Sequence, residues 1–433
     1  MKKSTFLLLI SLLPTCLSAQ DWASIKSNAV PVVADASSFE SPQALPLATL
    51  GWEDGLHLSA DGLTLYCTYV PLDFLSFALN GSLPNDFSAD YDRGAPDFGM
   101  DLSTNPIGAN EWLHSDVLIS ERASLSDPFE SWTLSNMTRN FYSEGAPTPA
   151  VDLSGQVEYM LFTSNDSEGN NQDIWIMETS DSNPTGIGTA LPSPINSTYN
   201  EDNPHLIRLS DQELILFFDS DNRPGGEGDI DIWYSQSTDN GSSWSDPSNL
   251  SSINSAEREH QPFLHQQGST WHLYYAAYHS DGKLAIFRSI KNGEGWDSWA
   301  TPELVISSGT AAGIGEPTLS RQGDLSFVVV TEDPNANSSF DHYDSDPWMA
   351  KSKTVLNSPI TETHSIQLYP NPAQQSINLI ATDSDFPVTI SSVLGQKVMT
   401  VREPKNSLSL AHLPTGIYLL QTQTGETLRL IKD

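Results

Sequence analysis

The stretch Asn203–Asn254, NPHLIRLSDQELILFFDSDNRPGGEGDIDIWYSQSTDNGSSWSDPSNLSSIN, decides the fold. Pro204 to Leu209 reads as a short strand ending in the polar turn Ser210-Asp211. Glu213 to Asp219 is a nearly continuous apolar run, the pattern of a strand buried on both faces. A loop rich in Gly, Asn and Asp follows, Asp221 to Gly228. Asp229 to Ser237 then alternates as a half-buried strand does, and after the turn STDNGSSW a short outer strand leads to Leu250. Four antiparallel strands in about fifty residues describe one blade of a β-propeller.

The pattern recurs on both sides of this unit. One copy starts at Glu53 with DGLHLSADGLTLYCTY, and its third strand, HSDVLISER, comes only at His114, after an insertion spanning residues 71–113. Another runs from Glu144 with PTPAVDLSGQVEYMLFTS and NNQDIWIMET. After the central unit come Glu259 with QPFLHQQGSTWHLYYAAY, and Glu316 with PTLSRQGDLSFVVVTE and DSDPWMAKSK. The last copy stops after its third strand. The missing piece lies at the other end of the chain, where SSFESPQALPLAT, Ser37 to Thr49, matches the fourth strands of the other copies. An N-terminal strand that completes the last blade removes an open sheet edge. The expected fold is therefore all-β, a five-bladed β-propeller over 37–356 closed by an N-terminal strand.

Residues 1–19 carry Lys2 and Lys3, the apolar run FLLLISLL and small residues ending at Ala19, which reads as a secretory signal peptide too short to span a membrane. Residues 20–36 form an N-terminal segment before the ring. Cleavage after Ala19 leaves Cys67 as the one cysteine, so no internal disulfide holds the domain. The chain has 20 basic and 55 acidic residues, a net charge of −35, or −37 once Lys2 and Lys3 leave. Such a surface disfavours nucleic acid and anionic membranes, and suits divalent cations and salty media.

Three stretches carry family resemblances. SADGLTLYCTY, SDVLISERASLSDPF and DSDNRPGGEGDIDIW resemble the WD-type repeats of TolB-like β-propellers, and STDNGSSW at Ser237 is similar to the Asp box of sialidase-type propellers. That resemblance implies a folding element, with the Trp packed between blades. After a linker, 357–365, the module 366–433 shows period-two runs separated by turns, a small C-terminal β-sandwich. Its LYPNPA at Leu368, VLGQKV at Val393, LPTGIYLLQ at Leu413 and LIK at Leu430 resemble the type A C-terminal sorting domain of the Bacteroidota type IX secretion system. The resemblance implies export, recognition by the type IX machinery and its sortase, and a secreted or cell-surface location.

Ligands of propellers bind at a mouth of the axis, beside the innermost strands. Each copy carries acidic residues just before the Pro or Gly opening that strand: Glu53 and Asp54, Glu144, Glu201 and Asp202, Glu259, and Glu316. An acidic ring there suits a cation or a glycan, and the same carboxylates satisfy neighbouring amides equally well. The expected function is an extracellular binding or scaffold module for a glycan, cation or protein. The alternative is a glycoside hydrolase using Asp54, Asp202 and Glu259, as the Asp, Asp and Glu of five-bladed glycosidases do. Asp90, Asp92 and Asp97 in the insertion are candidate calcium ligands. The arginines occupy no repeated position and no HExxH or CxxC occurs, which leaves sialidase and transition-metal chemistry without support.

Overall fold

The computed structural model describes residues 21–34, 36–49, 51–70, 72–80, 115–137, 143–165, 171–186, 188–336, 342–353, 367–380, 386–392, 396–402, 407–422 and 427–432. The signal peptide, Asp90, Asp92, Asp97 and most of the insertion lie outside these residues. The chain divides into two compact units, Met1–Val355 and Leu356–Asp433.

The described part of the first unit is built from five small antiparallel sheets, each running outward in sequence order. The first sheet holds Trp52–Leu58, Thr64–Val70, Asp116–Glu121 and Thr133–Leu134, and the second Glu144–Val151, Val157–Ser164, Asp173–Glu178 and Thr189–Ala190. The third comprises Glu201–Arg208, Leu214–Asp221, Ile230–Ser237 and Ser248–Asn249, and the fourth Glu259–Gln267, Thr270–Tyr278, Leu284–Ile290 and Glu303–Ser307. In the fifth, Gly313–Leu319, Leu325–Glu332 and Tyr343–Ala350 are completed by Gln43–Ala44, which pairs antiparallel with Met349 and Trp348. The N-terminal strand thus sits where the sequence placed it. Val32–Val33 adds an unanticipated fifth strand to the edge of the fourth sheet, pairing with Ile306 and Ser307.

Packing follows from the continuous apolar second strands. In the third sheet Leu214, Leu216 and Phe218 face Leu161, Ile174 and Trp175's neighbour Leu191 in a core shared with the second sheet. Ile215 and Phe217 on the opposite face join Leu264, Leu273 and Tyr275 of the fourth. The last sheet meets the first through Val328 and Met349 against Leu56 and Leu65. Each inner strand also contacts the inner strands of the sheets on either side, first to second and onward to fifth and back to first. Trp233 is buried in the interface between second and third sheets, with Trp244 of the STDNGSSW turn packed on the same cluster. Asp239 closes that turn by accepting from Ser243 N at 2.8 Å, and Gly241 N donates to Ser237 Oγ.

The links between sheets use a repeated clamp. Asn196 and Asn254 each accept from and donate to one residue of the preceding third strand, Ile174 and Ile232 respectively. The next residue, Ser197 or Ser255, donates its amide to the glutamate opening the following inner strand, Glu201 at 3.0 Å or Glu259 at 2.7 Å. Thr49 and Glu53 make the same contact at 3.0 Å.

The helix Trp22–Lys26 brings Lys26 Nζ within 2.8 Å of both Asp344 and Asp346 in the fifth sheet. Both carboxylates are buried, so the ammonium compensates charge that water cannot reach. Asp73, also buried, opens the helix Phe74–Asn80 and accepts from Ser76, His342 and Tyr343 amides, which fastens the start of the insertion to the fifth sheet.

The second unit has a three-stranded sheet, Gln367–Tyr369, Ser376–Ile380 and Leu408–Ser409, and a four-stranded sheet, Lys397–Val401, Val388–Ser392, Gly416–Gln421 and Thr427–Lys432. Ile377, Val388, Ile390, Leu410, Leu420 and Leu430 form its core.

Lys26→Met is expected to destabilise the first unit by about 3 kcal/mol in urea unfolding, because it strands two buried carboxylates. An unchanged urea midpoint would show that the helix is not a structural anchor.

Candidate functional site

All five inner strands break register at one place. There, Gly55, Ala146, Asn203, Gln261 and Glu316 adopt left-handed backbone, with φ of 50°, 47°, 50°, 59° and 57°. This repeated β-bulge lets consecutive residues face different environments. Two residues before it stand Glu53, Glu144, Glu201 and Glu259, with Ile314 in the fifth strand. One residue before it stand Asp54, Gly145, Asp202, His260 and Gly315, which line a cavity of about 1150 Å³ at the ends of the inner strands. The left-handed residues line it too. Two residues beyond, His57, Thr148, His205, Phe263 and Thr318 are all buried and line a narrow void of about 30 Å³. The His205 and Phe263 ring centroids are 4.2 Å apart and those of His57 and His205 6.2 Å. Burial lowers both histidines, His205 to about 4, so the axis below the cavity is filled by neutral side chains.

The acidic candidates therefore belong to different tiers. Glu53, Glu201 and Glu259 are buried and turned to the linkers through Thr49, Ser197 and Ser255, and Glu201 also lies 3.1 Å from Arg223 Nη1. Glu144 is buried at the equivalent position, and none of the four lines the cavity. Asp54, Asp202 and Glu316 do line it. The structure thus brings Asp54 and Asp202 together and leaves Glu259 apart from them. Glu316, spaced differently from the Pro than the other glutamates, occupies the left-handed position itself.

A fourth carboxylate, Asp219, joins them from the second strand of the third sheet, directly opposite Asp202 in the ladder. Like charges facing each other across a ladder are unfavourable. Burial pushes Asp202 up to about 7, and the charge of Asp219 adds to the push. Burial also raises Asp219 to about 6, opposed by hydrogen bonds from Gln261 N at 2.7 Å and Asn203 Nδ2 at 2.9 Å. Asn203 N donates to Asp202 at 2.8 Å.

On the other side of the axis, Glu316 is hydrogen-bonded to Asp54. Burial holds Glu316 well above the carboxylate range, with the charges of Asp54, Asp202 and Asp219 acting the same way. Asp54 is raised by burial and partly relieved by Trp52 Nε1, which donates to it at 3.1 Å. Each of the two carboxyls thus enters the protonation balance of the other. The wall around these pairs adds Thr68, Thr163, Gln172, Asn200 and the exposed Tyr278. Arg258 also lines the cavity but is committed to Asp229 at 2.5 Å. Among the described residues no three His, Cys, Asp or Glu converge to hold a metal ion, and no helix is long and apolar enough to cross a membrane.

Residues 367–432 match the family model for the secretion system C-terminal sorting domain. No curated protein matches the chain. Among solved structures, the catalytic domain of a Coprinopsis cinerea GH62 alpha-L-arabinofuranosidase is 10% identical, over 73% of this chain and 98% of that one, with a TM-score of 0.46. A thermostable family-43 glycoside hydrolase is 14% identical, over 73% of this chain and 97% of its own, with a TM-score of 0.42. The NanB sialidase of Streptococcus pneumoniae is 14% identical over 55% of this chain and 36% of its own, with a TM-score of 0.33.

The raised carboxyls set the sign of a pH dependence. A group holding its proton more tightly when folded gives stability that is present below its unfolded value, near 4, and lost as pH rises through its folded value. Thermal midpoints are expected to fall as pH rises from about 4 to about 7, the window set by Asp219 and Asp202. Asp202→Asn is expected to remove part of that slope; an identical slope would show that Asp202 titrates normally.

Proposed function

We propose that residues 37–356 form a closed five-bladed β-propeller, exported through the signal at 1–19 and the sorting module at 366–433, whose axial cavity binds a neutral glycan. The carrying observation is the cavity lining: carboxyl groups of Asp54, Asp202, Asp219 and Glu316 beside the carboxamides of Asn203 and Gln261. Carboxylates accept from sugar hydroxyls and carboxamides both donate and accept, while Tyr278 offers a ring to a sugar face. The five sheets, their outward strand order and the neighbour-to-neighbour contacts of the inner strands support the closed ring. The lining holds seven acidic residues, Asp54, Asp202, Asp219, Asp221, Glu316, Glu332 and Asp333, against the cations Arg258 and Lys283, an acidic excess that favours a neutral glycan over an anionic one.

A hydrolase reading draws on one further observation, that the cavity holds carboxyls in unlike surroundings. Burial and three neighbouring carboxylates hold Glu316 well above the carboxylate range, whereas hydrogen bonds from Gln261 and Asn203 oppose the rise of Asp219, surroundings that suit an acid and a base. In that reading Glu316 replaces Glu259, and Asp54 and Asp202 stay.

Calorimetry of the mature chain against neutral, amino and uronate oligosaccharides tests the proposal. Neutral oligosaccharides are expected to bind, with at least a roughly tenfold loss in Asp202→Asn or Asp54→Asn. Absence of binding across all three classes would refute it, and release of reducing ends would select the hydrolase. Deleting 356–433 is expected to leave the first unit folded and retained in the periplasm, seen by cell fractionation; secretion of the truncated chain would refute the sorting role.

A further inference from the structure

Gln261 stands between the two carboxyl pairs and touches both. Its backbone N–H donates to Asp219 Oδ2 at 2.7 Å. Its side chain meets Glu316 twice: Nε2 donates to Glu316 Oε1 at 2.5 Å, and Oε1 accepts from Glu316 N at 3.0 Å. The second contact fixes the orientation of the amide, because a backbone N–H can only donate and must therefore face the carboxamide oxygen. Nε2 is then committed to the Glu316 carboxyl. The Glu316 carboxyl is thereby held by the amide on one side and neighbours Asp54 on the other.

The surroundings are shaped for this amide. Gly315 leaves the space that it fills, since a Cβ there would lie 2.7 Å from Gln261 Oε1. Gln261 itself is held at φ 59° and Glu316 at φ 57°, both in the left-handed region that non-glycine residues rarely adopt. The hydrogen bonds form an arc across four sheets: Trp52 to Asp54, Asp54 to Glu316, Glu316 to Gln261, Gln261 to Asp219 and Asp219 to Asn203.

We propose that Gln261 is the positioning residue of the cavity, fixing the Glu316 carboxyl beside Asp54 through its side-chain amide and Asp219 through its backbone N–H. This rests on the reading of the cavity as the functional site, and it assigns the role to a residue two positions from Glu259, which that reading leaves outside. The charged and titratable groups around Glu316 are Asp54 from the first sheet and Asp202 and Asp219 from the third. Arg258 and His260 of the fourth line the cavity as well; burial lowers His260 to about 3, so it stays neutral throughout the range of the test.

The test is a titration of side-chain carboxyl carbons by NMR in the full mature chain, without ligand, with signals assigned through Glu316→Gln and Asp219→Asn. Gln261→Met keeps the side-chain length and removes the amide. A donor to the carboxylate favours its ionised form, so its loss is expected to move the Glu316 midpoint upward by about one pH unit. The Asp219 signal, bonded to the backbone of 261, is expected to hold its midpoint. Gly315→Ala keeps Gln261 and displaces its amide, and is expected to shift Glu316 in the same direction, which serves if the Met variant does not fold. A Glu316 midpoint unchanged in a folded variant would overturn the proposal. The shift seen in a chain that binds no oligosaccharide would uphold the positioning role and overturn the glycan reading instead.

Discussion

One left-handed residue in each inner strand organises the whole first unit. A regular strand alternates its side chains between two faces. The bulge adds a residue and breaks that alternation, so that four near-consecutive positions serve four ends: a glutamate for the linker, a cavity residue, the left-handed residue itself, and a buried plug. At Gly55 the conformation is free, and the lack of a side chain is needed as well, because a Cβ would stand 2.2 Å from Thr68 Oγ1. At Ala146, Gln261 and Glu316 it costs on the order of 1–3 kcal/mol each. Such strain persists where neighbouring contacts over-determine it, and here the amide of each of the four non-glycine left-handed residues is held by a polar side chain: Thr68 for Ala146, Asp202 for Asn203, Asp219 for Gln261 and Gln261 for Glu316.

The bulge also explains how much of the molecule could be read from the chain alone. Repeat period, strand order and the N-terminal strand that completes the fifth sheet follow from apolar runs and turn residues, which are local properties. The acidic residues were equally visible, yet their tier was not, because the letters Glu-Asp-Asn-Pro and Gly-Glu-Pro give no direct sign of which residue turns left-handed. The uneven spacing of Glu316 from its Pro was the trace of that difference. Asp219 was hidden for another reason. It closes an apolar run, and only the pairing register brings it opposite Asp202. A hairpin count from the turn at Ser210-Asp211, with one residue added for the bulge, would have found it.

Charge takes two forms in this protein. Many of the described acidic residues face water, where a net charge of −35 is tolerated and keeps chains apart. The buried ones are treated case by case. Asp344 and Asp346 receive Lys26, Glu201 receives Arg223, and Asp73 receives two backbone amides and Ser76. Asp54, Asp202, Asp219 and Glu316 in the cavity receive only neutral donors, apart from the field of Arg258 on Asp219. Burial raises all four above the usual carboxylate range.

The tiers differ in what they can tolerate. The glutamate and plug positions are tied to linkers and to the packed axis, so their chemistry is constrained by burial. The position before the left-handed residue carries Asp, Gly, Asp, His and Gly in the five strands, a range of size and charge that no packed core position would accept. Its side chains enter open space, and the ring closes without them. The side chains at Asp54, Gly145, Asp202, His260 and Gly315 differ while the bulge holds the same backbone in all five strands. Gly315 shows the limit of that freedom, since there the open space is already filled by the amide that orders the site.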